Sequence, residues 1–207
     1  LSHPDVRKIT FTGSFNVGKI IAQKAAPKLC PVTLELGGKN PNIIMSDADL
    51  DIAIPGVIDG MRYTRQGQAC TAGSRVYIQE KIYDKVLDGV VDKLKNLKMG
   101  NALDENSDVG AIISEEQLNR TLHYMNIAKE NSSTKVLHGG IQKKGGNYKE
   151  GFFYEPTLLS GVPVKSPVCQ EEIFGPVACA IPFKSFDEVI KSANDTPFGL
   201  SAVLWTQ

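Results

Sequence analysis

Apolar residues along this chain recur at two spacings, one typical of strands and the other typical of helices. Compact apolar runs predict strands at 7–13, 31–36, 42–45, 74–79, 176–183 and 200–205. Apolar positions three or four residues apart predict amphipathic helices that begin near Ser14, Asp49 and Lys81, and capping boxes predict helices that begin at Ser114 and Ser185. Strands that alternate with helices predict an α/β fold with a largely parallel sheet and flanking helices. We expect functional loops at the edge of the sheet where the helices start.

Local signals refine these elements. Ser114 with Gln117 forms a predicted capping box at one helix start. Pro55 lies beyond the first turn of the second helix and predicts a kink or a late start. That helix is expected to run directly into a cysteine-containing segment at 67–75. The segment 139–151 is rich in Gly, Lys and Asn, which predicts a turn-rich hairpin or a surface loop.

Composition and charge exclude several classes of partner. The chain has 207 residues, of which 42% are hydrophobic, so it can bury a core. Lysine plus arginine balance aspartate plus glutamate at 23 each, which gives no broad attraction for nucleic acid or an anionic membrane. No apolar stretch is long enough to span a bilayer, and residues 1–10 lack the pattern of an export signal. Because residue 1 is not methionine, we expect a fragment or a processed chain.

The four cysteines do not form a recognisable metal or disulfide pattern. Cys30, Cys70, Cys169 and Cys179 include no C-x-x-C pair and have no histidine at a metal-ligand offset. A disulfide framework is also poorly supported in a chain this large with so few cysteines. The sequence therefore predicts no metal site, reduced thiols and a cytoplasmic location.

One cysteine lies in a segment suited to nucleophilic chemistry, 67-GQACTAGSR-75. A thiolate nucleophile needs access and little bulk around the sulfur, and the small residues beside Cys70 meet that condition. Backbone N–H groups in such a turn can stabilise an oxyanion on the attacked carbon. The alternative is a small buried cysteine that fills a tight loop. Arg75 is expected to anchor this loop rather than to bind substrate.

A glutamate ends another strand, in 34-LELGGKNP-41. A partly desolvated carboxylate at Glu35 could accept a proton from water and so act as a general base. The alternative is a salt bridge to Lys39. An accessible cysteine together with such a glutamate suggests formation and hydrolysis of an acyl thioester.

Two further segments suggest a nucleotide ligand. In 12-TGSFNVG-18 a Gly-Ser turn enters a helix, whose N–H groups and dipole suit a pyrophosphate. In 171-EEIFGPV-177 a glutamate could bind ribose hydroxyls and Phe174 could pack on a flat ring. The alternatives are an ordinary strand-to-helix turn and a surface turn with a core phenylalanine.

The order and wording of these segments closely resemble the aldehyde dehydrogenase superfamily, over essentially the whole chain. The matching segments are 11-FTGS-14, 34-LELGGKNP-41, 67-GQACTAGSR-75, 171-EEIFGPV-177 and 196-TPFGLSA-202. The resemblance implies oxidation of an aldehyde to a carboxylic acid with NAD or NADP, in which Cys70 is the nucleophile and Glu35 the general base. The presence of Glu35 also argues against the members that form acyl-CoA.

The resemblance further implies a cofactor site, a domain division and an assembly. The cofactor residues would be Gly13, Ser14 and Gly18 at the pyrophosphate, Glu172 at the nicotinamide ribose, and Phe174 at the nicotinamide end. Residues 1–36 would be the tail end of the cofactor-binding domain and 37–207 the catalytic domain. A homo-oligomer is expected for the full-length protein, and weak or no activity for the chain alone. Two other readings are a non-catalytic structural member of the same fold and a cofactor-independent thioester hydrolase.

Overall fold

The computed structural model describes residues 1–207. Contacts within the chain divide it into two compact units, Leu1–Gly38 and Lys39–Gln207.

The first unit is a strand–helix–strand crossover. Strand β1 spans Ile9–Thr12, helix α1 spans Phe15–Ala25, and strand β2 spans Val32–Glu35. The two strands pair in parallel, with Thr12 opposite Glu35. Ser14 caps α1 as predicted, because its Oγ accepts a hydrogen bond of 3.4 Å from the N–H of Val17.

The second unit is built on a sheet of six strands in the order β10-β3-β4-β9-β8-β5. Its strands are β3 Pro41–Ile44, β4 Arg75–Gln79, β5 Lys135–His138, β8 Thr157–Ser160, β9 Val177–Phe183 and β10 Val203–Trp205, while β6 Gln142–Lys143 pairs with β7 Phe153–Tyr154. Its helices are α2 Leu50–Gly60, α3 Tyr83–Asn96, α4 Glu115–Glu130, α5 Pro167–Gln170 and α6 Phe186–Asn194. Within the six-stranded sheet only β5 runs antiparallel to its neighbour, and the separate β6–β7 pair is also antiparallel. The predicted α/β class with a largely parallel sheet is therefore confirmed.

The sheet is covered by helices on both faces. Along β4, Val76 and Ile78 belong to a core with the apolar faces of α2 and α3, whereas Tyr77 belongs to a core with α4, α5 and α6. The side chains of a strand alternate between faces, so a continuous apolar run is what a doubly covered parallel strand requires. This arrangement explains why the strands appear in the sequence as compact apolar runs.

Two details of the second helix differ from the prediction. α2 begins directly at its predicted cap and contains Pro55, so a late start is wrong. It ends at Gly60 instead of running into the cysteine segment, because Arg62 and Gln66 adopt left-handed backbone with φ of 58° and 55°. A 3-10 turn, Tyr63–Arg65, lies between those two residues. The helix therefore ends before the cysteine segment begins.

The strand β5 and the β6–β7 hairpin have weaker sequence signals than the central strands. β5 is a partly exposed edge strand with an irregular register between Val136 and His138. The predicted turn-rich segment 139–151 forms the short β6–β7 hairpin connection. No helix in the structure combines the length and the apolar character that crossing a membrane requires.

Candidate active site

The motif segments of the second unit gather at one edge of the sheet, but it is not the edge that the sequence predicted. The cysteine segment directly precedes β4, the 171–177 segment leads into β9, and Lys39 and Asn40 directly precede β3. The amino ends of these strands are in register, since Pro41 pairs with Arg75 and Arg75 with Cys179. The helix starts lie at the carboxyl ends of the strands instead. The expected edge is therefore wrong for these loops.

Cys70 lies in an irregular loop between the 3-10 turn and β4, and its side chain is half-buried. In contrast, Cys169 and Cys179 are packed in the core and are 0% and 1% exposed. The residues beside Cys70 along the chain are Ala69 and Thr71, which are small. Cys70 is therefore the most accessible thiol of the second unit.

Three consecutive backbone donors of this loop, those of Ala69, Cys70 and Thr71, have no protein acceptor. The N–H of Ala72 donates to the carbonyl of Ala69 at 3.1 Å, and that of Gly73 donates to Gly60 at 2.9 Å. The N–H groups of Ala69, Cys70 and Thr71 donate no hydrogen bond. Unpaired donors beside a thiol can bind the oxyanion that forms when sulfur adds to a carbonyl.

The carbonyl groups of the same loop are held by Asn40, which sequence analysis did not single out. The buried Nδ2 of Asn40 donates to the carbonyls of Cys70 at 2.7 Å and Ala72 at 3.1 Å. Its Oδ1 accepts a 3.0 Å hydrogen bond from the N–H of Ser201. No local pattern reveals this contact, because it joins segments far apart in the chain.

Arg75 lies at the start of β4, and the partners of its side chain lie outside the cysteine loop that it was predicted to anchor. Its guanidinium is 0% exposed and donates from Nε to the carbonyl of Lys39 at 2.8 Å. Its Nη groups donate to the carbonyls of Ala193 at 2.8 Å and Ser192 at 3.3 Å. Backbone carbonyls thus occupy the guanidinium donors, which agrees with a structural role.

The cysteine segment lies directly against the 171–177 segment. Gly67 has φ of 65°, and a Cβ added to it would lie 2.2 Å from the carbonyl oxygen of Gly175. Glycine is needed here both for the left-handed backbone and for the close approach. Two motifs that are about a hundred residues apart in the sequence therefore meet in the fold.

We expect Gly67→Ala to destabilise the chain and to slow alkylation of Cys70, because the loop must move away from Gly175. The expected loss is about 2–4 kcal/mol in the free energy of unfolding, from backbone strain plus the steric clash. Gly145→Ala is a matched control, since Gly145 has φ of 76° and nothing within 4 Å of an added Cβ. Urea denaturation of both variants measures the difference. Equal losses would show that the contact with Gly175 contributes nothing.

Helix α4 holds the 171–177 segment by its backbone. Gln117 Nε2 donates to the carbonyls of Ile173 at 2.9 Å and Phe174 at 2.8 Å. Arg120 donates to the carbonyls of Glu172 and Ile173. Phe174 has φ of 58° and is 36% exposed, so a bulky residue is held in left-handed backbone at the surface. Such strain in a clamped segment is typical of functional sites.

The predicted capping box at the start of α4 is only half formed. Ser114 Oγ accepts from the N–H of Gln117 at 3.2 Å, but the Gln117 side chain binds the 171–177 segment instead of the helix start. Four residues after Arg120, the Tyr124 hydroxyl donates to Glu171 at 2.6 Å. Burial, followed by this hydrogen bond, raises the pKa of Tyr124 to about 12. Tyr124 therefore remains a neutral donor to that carboxylate at neutral pH.

The first unit contains the other candidate residues. The N–H of Gly13 donates to the carbonyl of Glu35 at 3.0 Å, which brings these two residues together at the ends of β1 and β2. The Glu35 side chain is exposed, so the partial desolvation expected for this carboxylate from the sequence is not observed. A Cβ on Gly18 would lie 2.7 Å from the side chain of Leu36, so the absence of a side chain lets α1 approach the segment after β2.

The start of α1 retains donors for an anion. The N–H of Val17 is satisfied by Ser14, but those of Phe15 and Asn16 donate no hydrogen bond. Unpaired N–H groups and the positive end of the helix dipole fit a phosphate. The N–H of Gly13, by contrast, is already used within the sheet.

Lys39, the alternative partner of Glu35, belongs to the second unit and is 1% exposed. Burial lowers the pKa of Lys39, and the nearby Cys179 and Cys169 oppose this effect to a smaller extent. No cluster of three or more histidine, cysteine, aspartate or glutamate side chains could hold a metal ion.

Comparison with known proteins identifies relatives of the entire chain. The model of the aldehyde dehydrogenase family matches residues 1–207. A putative aldehyde dehydrogenase of Bacillus subtilis, DhaS, is 42% identical over 206 residues, which cover 100% of this chain and 40% of the relative. The chain therefore spans 40% of the length of that curated relative.

Solved structures agree in fold. An NAD+ complex of an aldehyde dehydrogenase from Bacillus cereus superposes with a TM-score of 0.93 at 41% identity, covering 99% of this chain and 40% of that one. Betaine aldehyde dehydrogenase from Staphylococcus aureus, in complex with NAD+, superposes with a TM-score of 0.94 at 37% identity and the same coverage.

Proposed function

This chain belongs to the aldehyde dehydrogenase family, and we propose that the protein oxidises an aldehyde to a carboxylic acid with NAD or NADP through a covalent intermediate on Cys70. The observation that carries the proposal is the Cys70 loop. It presents a half-buried thiol among small residues, where the N–H groups of Ala69, Cys70 and Thr71 lack a protein acceptor. The NAD+ complexes of similar dehydrogenases support the choice of cofactor.

The first step is addition of the Cys70 thiolate to the aldehyde carbon. The carbonyl oxygen becomes an alkoxide, which the N–H of Cys70 stabilises. The carbon–hydrogen bond then breaks, the alkoxide oxygen reforms a carbonyl, and a thioester remains on Cys70. This route needs no good leaving group on the substrate, which is why a covalent adduct suits an aldehyde.

The second step is hydrolysis of the thioester. Glu35 takes a proton from water as the water oxygen attacks the acyl carbon. The carbon–sulfur bond breaks, and the products are the carboxylic acid and the Cys70 sulfur. The exposed position of Glu35 at the end of β2 supports this role, because a general base must be reachable by water.

The cofactor would be held by Gly13, Ser14 and Gly18 at its pyrophosphate, by Glu172 at the nicotinamide ribose and by Phe174 at the nicotinamide. The unpaired N–H groups of Phe15 and Asn16 fit the pyrophosphate. When bound, this cofactor supplies the acceptor for the hydride. The proposal includes residues 1–36 as the tail of a cofactor-binding domain and 37–207 as catalytic domain.

We also propose that the native polypeptide acts on a small aldehyde, assembles as a homo-oligomer and is located in the cytoplasm. Reducing conditions there would preserve the four free cysteines that the structure contains. Substantial turnover by the 207-residue chain alone, compared with the native polypeptide, would contradict our expectation that the chain alone is weakly active.

The proposal is tested by limited alkylation with iodoacetamide, with and without NAD, and by aldehyde-dependent NADH formation in the native polypeptide. Mass spectrometry then compares the labelling of Cys70 with that of Cys30, Cys169 and Cys179. Selective labelling of Cys70, changed by NAD, together with NADH formation, is the expected result. An inert Cys70 without NADH formation would favour a non-catalytic member of the fold, and ester hydrolysis without any aldehyde oxidation would favour the hydrolase.

A further inference from the structure

We infer that Asn40 is a positioning residue for the nucleophile loop, fixing the backbone on which Cys70 and its N–H donors are mounted. The inference rests on the proposed role of Cys70. Asn40 is 3% exposed and immediately precedes β3. β3 pairs directly with β4, the strand that follows the cysteine loop. Asn40 therefore contacts the loop from the position that directly precedes a strand of the sheet.

The hydrogen bonds of Asn40 reach three separate segments of the chain. The side-chain Nδ2 donates to the carbonyls of Cys70 and Ala72 at 2.7 and 3.1 Å. The Oδ1 accepts from Ser201 at 3.0 Å, and the backbone carbonyl accepts from the N–H of Arg75 at 3.2 Å. The side-chain amide of Asn40 thus ties the loop to the segment before β10, and its backbone carbonyl binds the start of β4.

The two carbonyl contacts orient the N–H groups of Thr71 and Gly73, which share a peptide unit with those carbonyls. In a trans peptide the N–H lies opposite the preceding carbonyl. The Ala72 carbonyl faces Asn40, and the following N–H, that of Gly73, points the other way and donates to Gly60 at 2.9 Å. By the same rule the Cys70 carbonyl faces Asn40, and the N–H of Thr71 points away from it, where no protein acceptor lies.

Only an amide meets the requirements of this position. The site needs two donors for the carbonyls and one acceptor for Ser201, and it is closed to bulk solvent. An ionised carboxylate has no donor and would place negative charge against two carbonyl oxygens. Loss of the donors would release the loop, and a displacement of about 1 Å at a reacting group can lower the rate about 100-fold.

The test uses Asn40→Asp in the native polypeptide, because this change preserves shape and removes the donors. Gln79→Glu is the matched control: Gln79 accepts from the N–H of Ser46 at 2.8 Å and donates to the carbonyl of Lys184 at 3.4 Å, at the opposite end of β4. The rate constant for alkylation of Cys70 is measured across a range of pH, together with kcat, KM and the melting temperature.

We expect Asn40→Asp to lower the Cys70 alkylation rate and kcat about 10- to 100-fold, with KM changed less than about threefold, while Gln79→Glu stays near the unmodified rates. The deficit relative to the control should shrink toward acid, because a protonated carboxyl group regains one donor. A merely structural role would not produce this pH dependence. If Asn40→Asp does not fold, Asn40→Ser, which keeps one donor, takes its place.

Equal alkylation rates for the Asn40 variant and the control at every pH would overturn the inference. Alkylation requires no aldehyde and no cofactor, so it decides the role of Asn40 separately from the proposed function. Absence of aldehyde oxidation in the unmodified protein would overturn the proposed function instead.

Discussion

Replacing Cys70 with alanine is expected to lower kcat/KM for aldehyde oxidation by at least about 10⁴-fold, the loss typical of removing a covalent nucleophile. Without the sulfur no adduct forms on the aldehyde carbon, and the remaining loop donors cannot stabilise an alkoxide that never develops. Initial rates of NADH formation by the native polypeptide measure this loss. Intact-protein mass spectrometry should show no acyl adduct on the variant.

Cys30→Ala is the control for loss of a thiol. Cys30 is also half-buried, but it lies in the first unit after α1, where its sulfur is near the carbonyl of Val6. We expect its kcat/KM to change by less than about twofold, as for most substitutions away from a site. If Cys70→Ala kept more than about a tenth of the activity, the nucleophile would have to be sought elsewhere.

The fold was largely predictable because its strands are buried on both faces. Core positions of β4 and β9 are 0–6% exposed, so these strands appear as the apolar runs that a parallel sheet requires. β5 was not predicted, because an exposed edge strand with an irregular register has neither a continuous run nor a strict alternation. The end of α2 depended on the left-handed backbone of Arg62, which no residue type in the sequence demands.

The candidate site was predictable only where one short segment carries the chemistry. Cys70 and its small neighbours are contiguous, so the motif is visible in the sequence. The contacts of Asn40 with Cys70 and with Ser201 span 30 and 161 residues, and those of Gln117 with Phe174 span 57 residues. Such pairings depend on strand order and register, which sequence patterns alone do not specify.

The register of the parallel strands explains why the motif loops lie at the amino edge of the sheet. Each loop immediately precedes its strand, and the strands are parallel with aligned starts, so the loops meet at the amino edge of the sheet. The usual expectation for an open α/β sheet places ligands at the carboxyl ends. Here the helix starts occupy that edge, and the first unit provides its own helix start at α1. The cysteine loop therefore lies at the edge of the sheet opposite to the helix starts of its own unit.

Replacing Glu35 with glutamine is expected to separate the two halves of the reaction. Thiolate addition and oxidation do not require the base, so the first turnover should still release about one NADH per active site. Hydrolysis should slow about 10²- to 10⁴-fold, the range that general base catalysis contributes. Rapid mixing would then show a burst of NADH followed by slow steady-state turnover. The acylated protein should accumulate, and its mass should exceed that of the free protein by the aldehyde less two hydrogen atoms.

Glu80→Gln is the matched control, since Glu80 is also exposed and directly follows the end of β4 as Glu35 ends β2. It should leave both the burst and the steady state unchanged. A strong added nucleophile such as hydroxylamine should restore turnover in the Glu35 variant, because it attacks the thioester without a base. Loss of the burst itself would place Glu35 before thioester formation, in activation of the thiol. An unchanged steady state would mean that a base other than Glu35 activates the water that attacks the thioester. Glu35 would then have no role in the reaction.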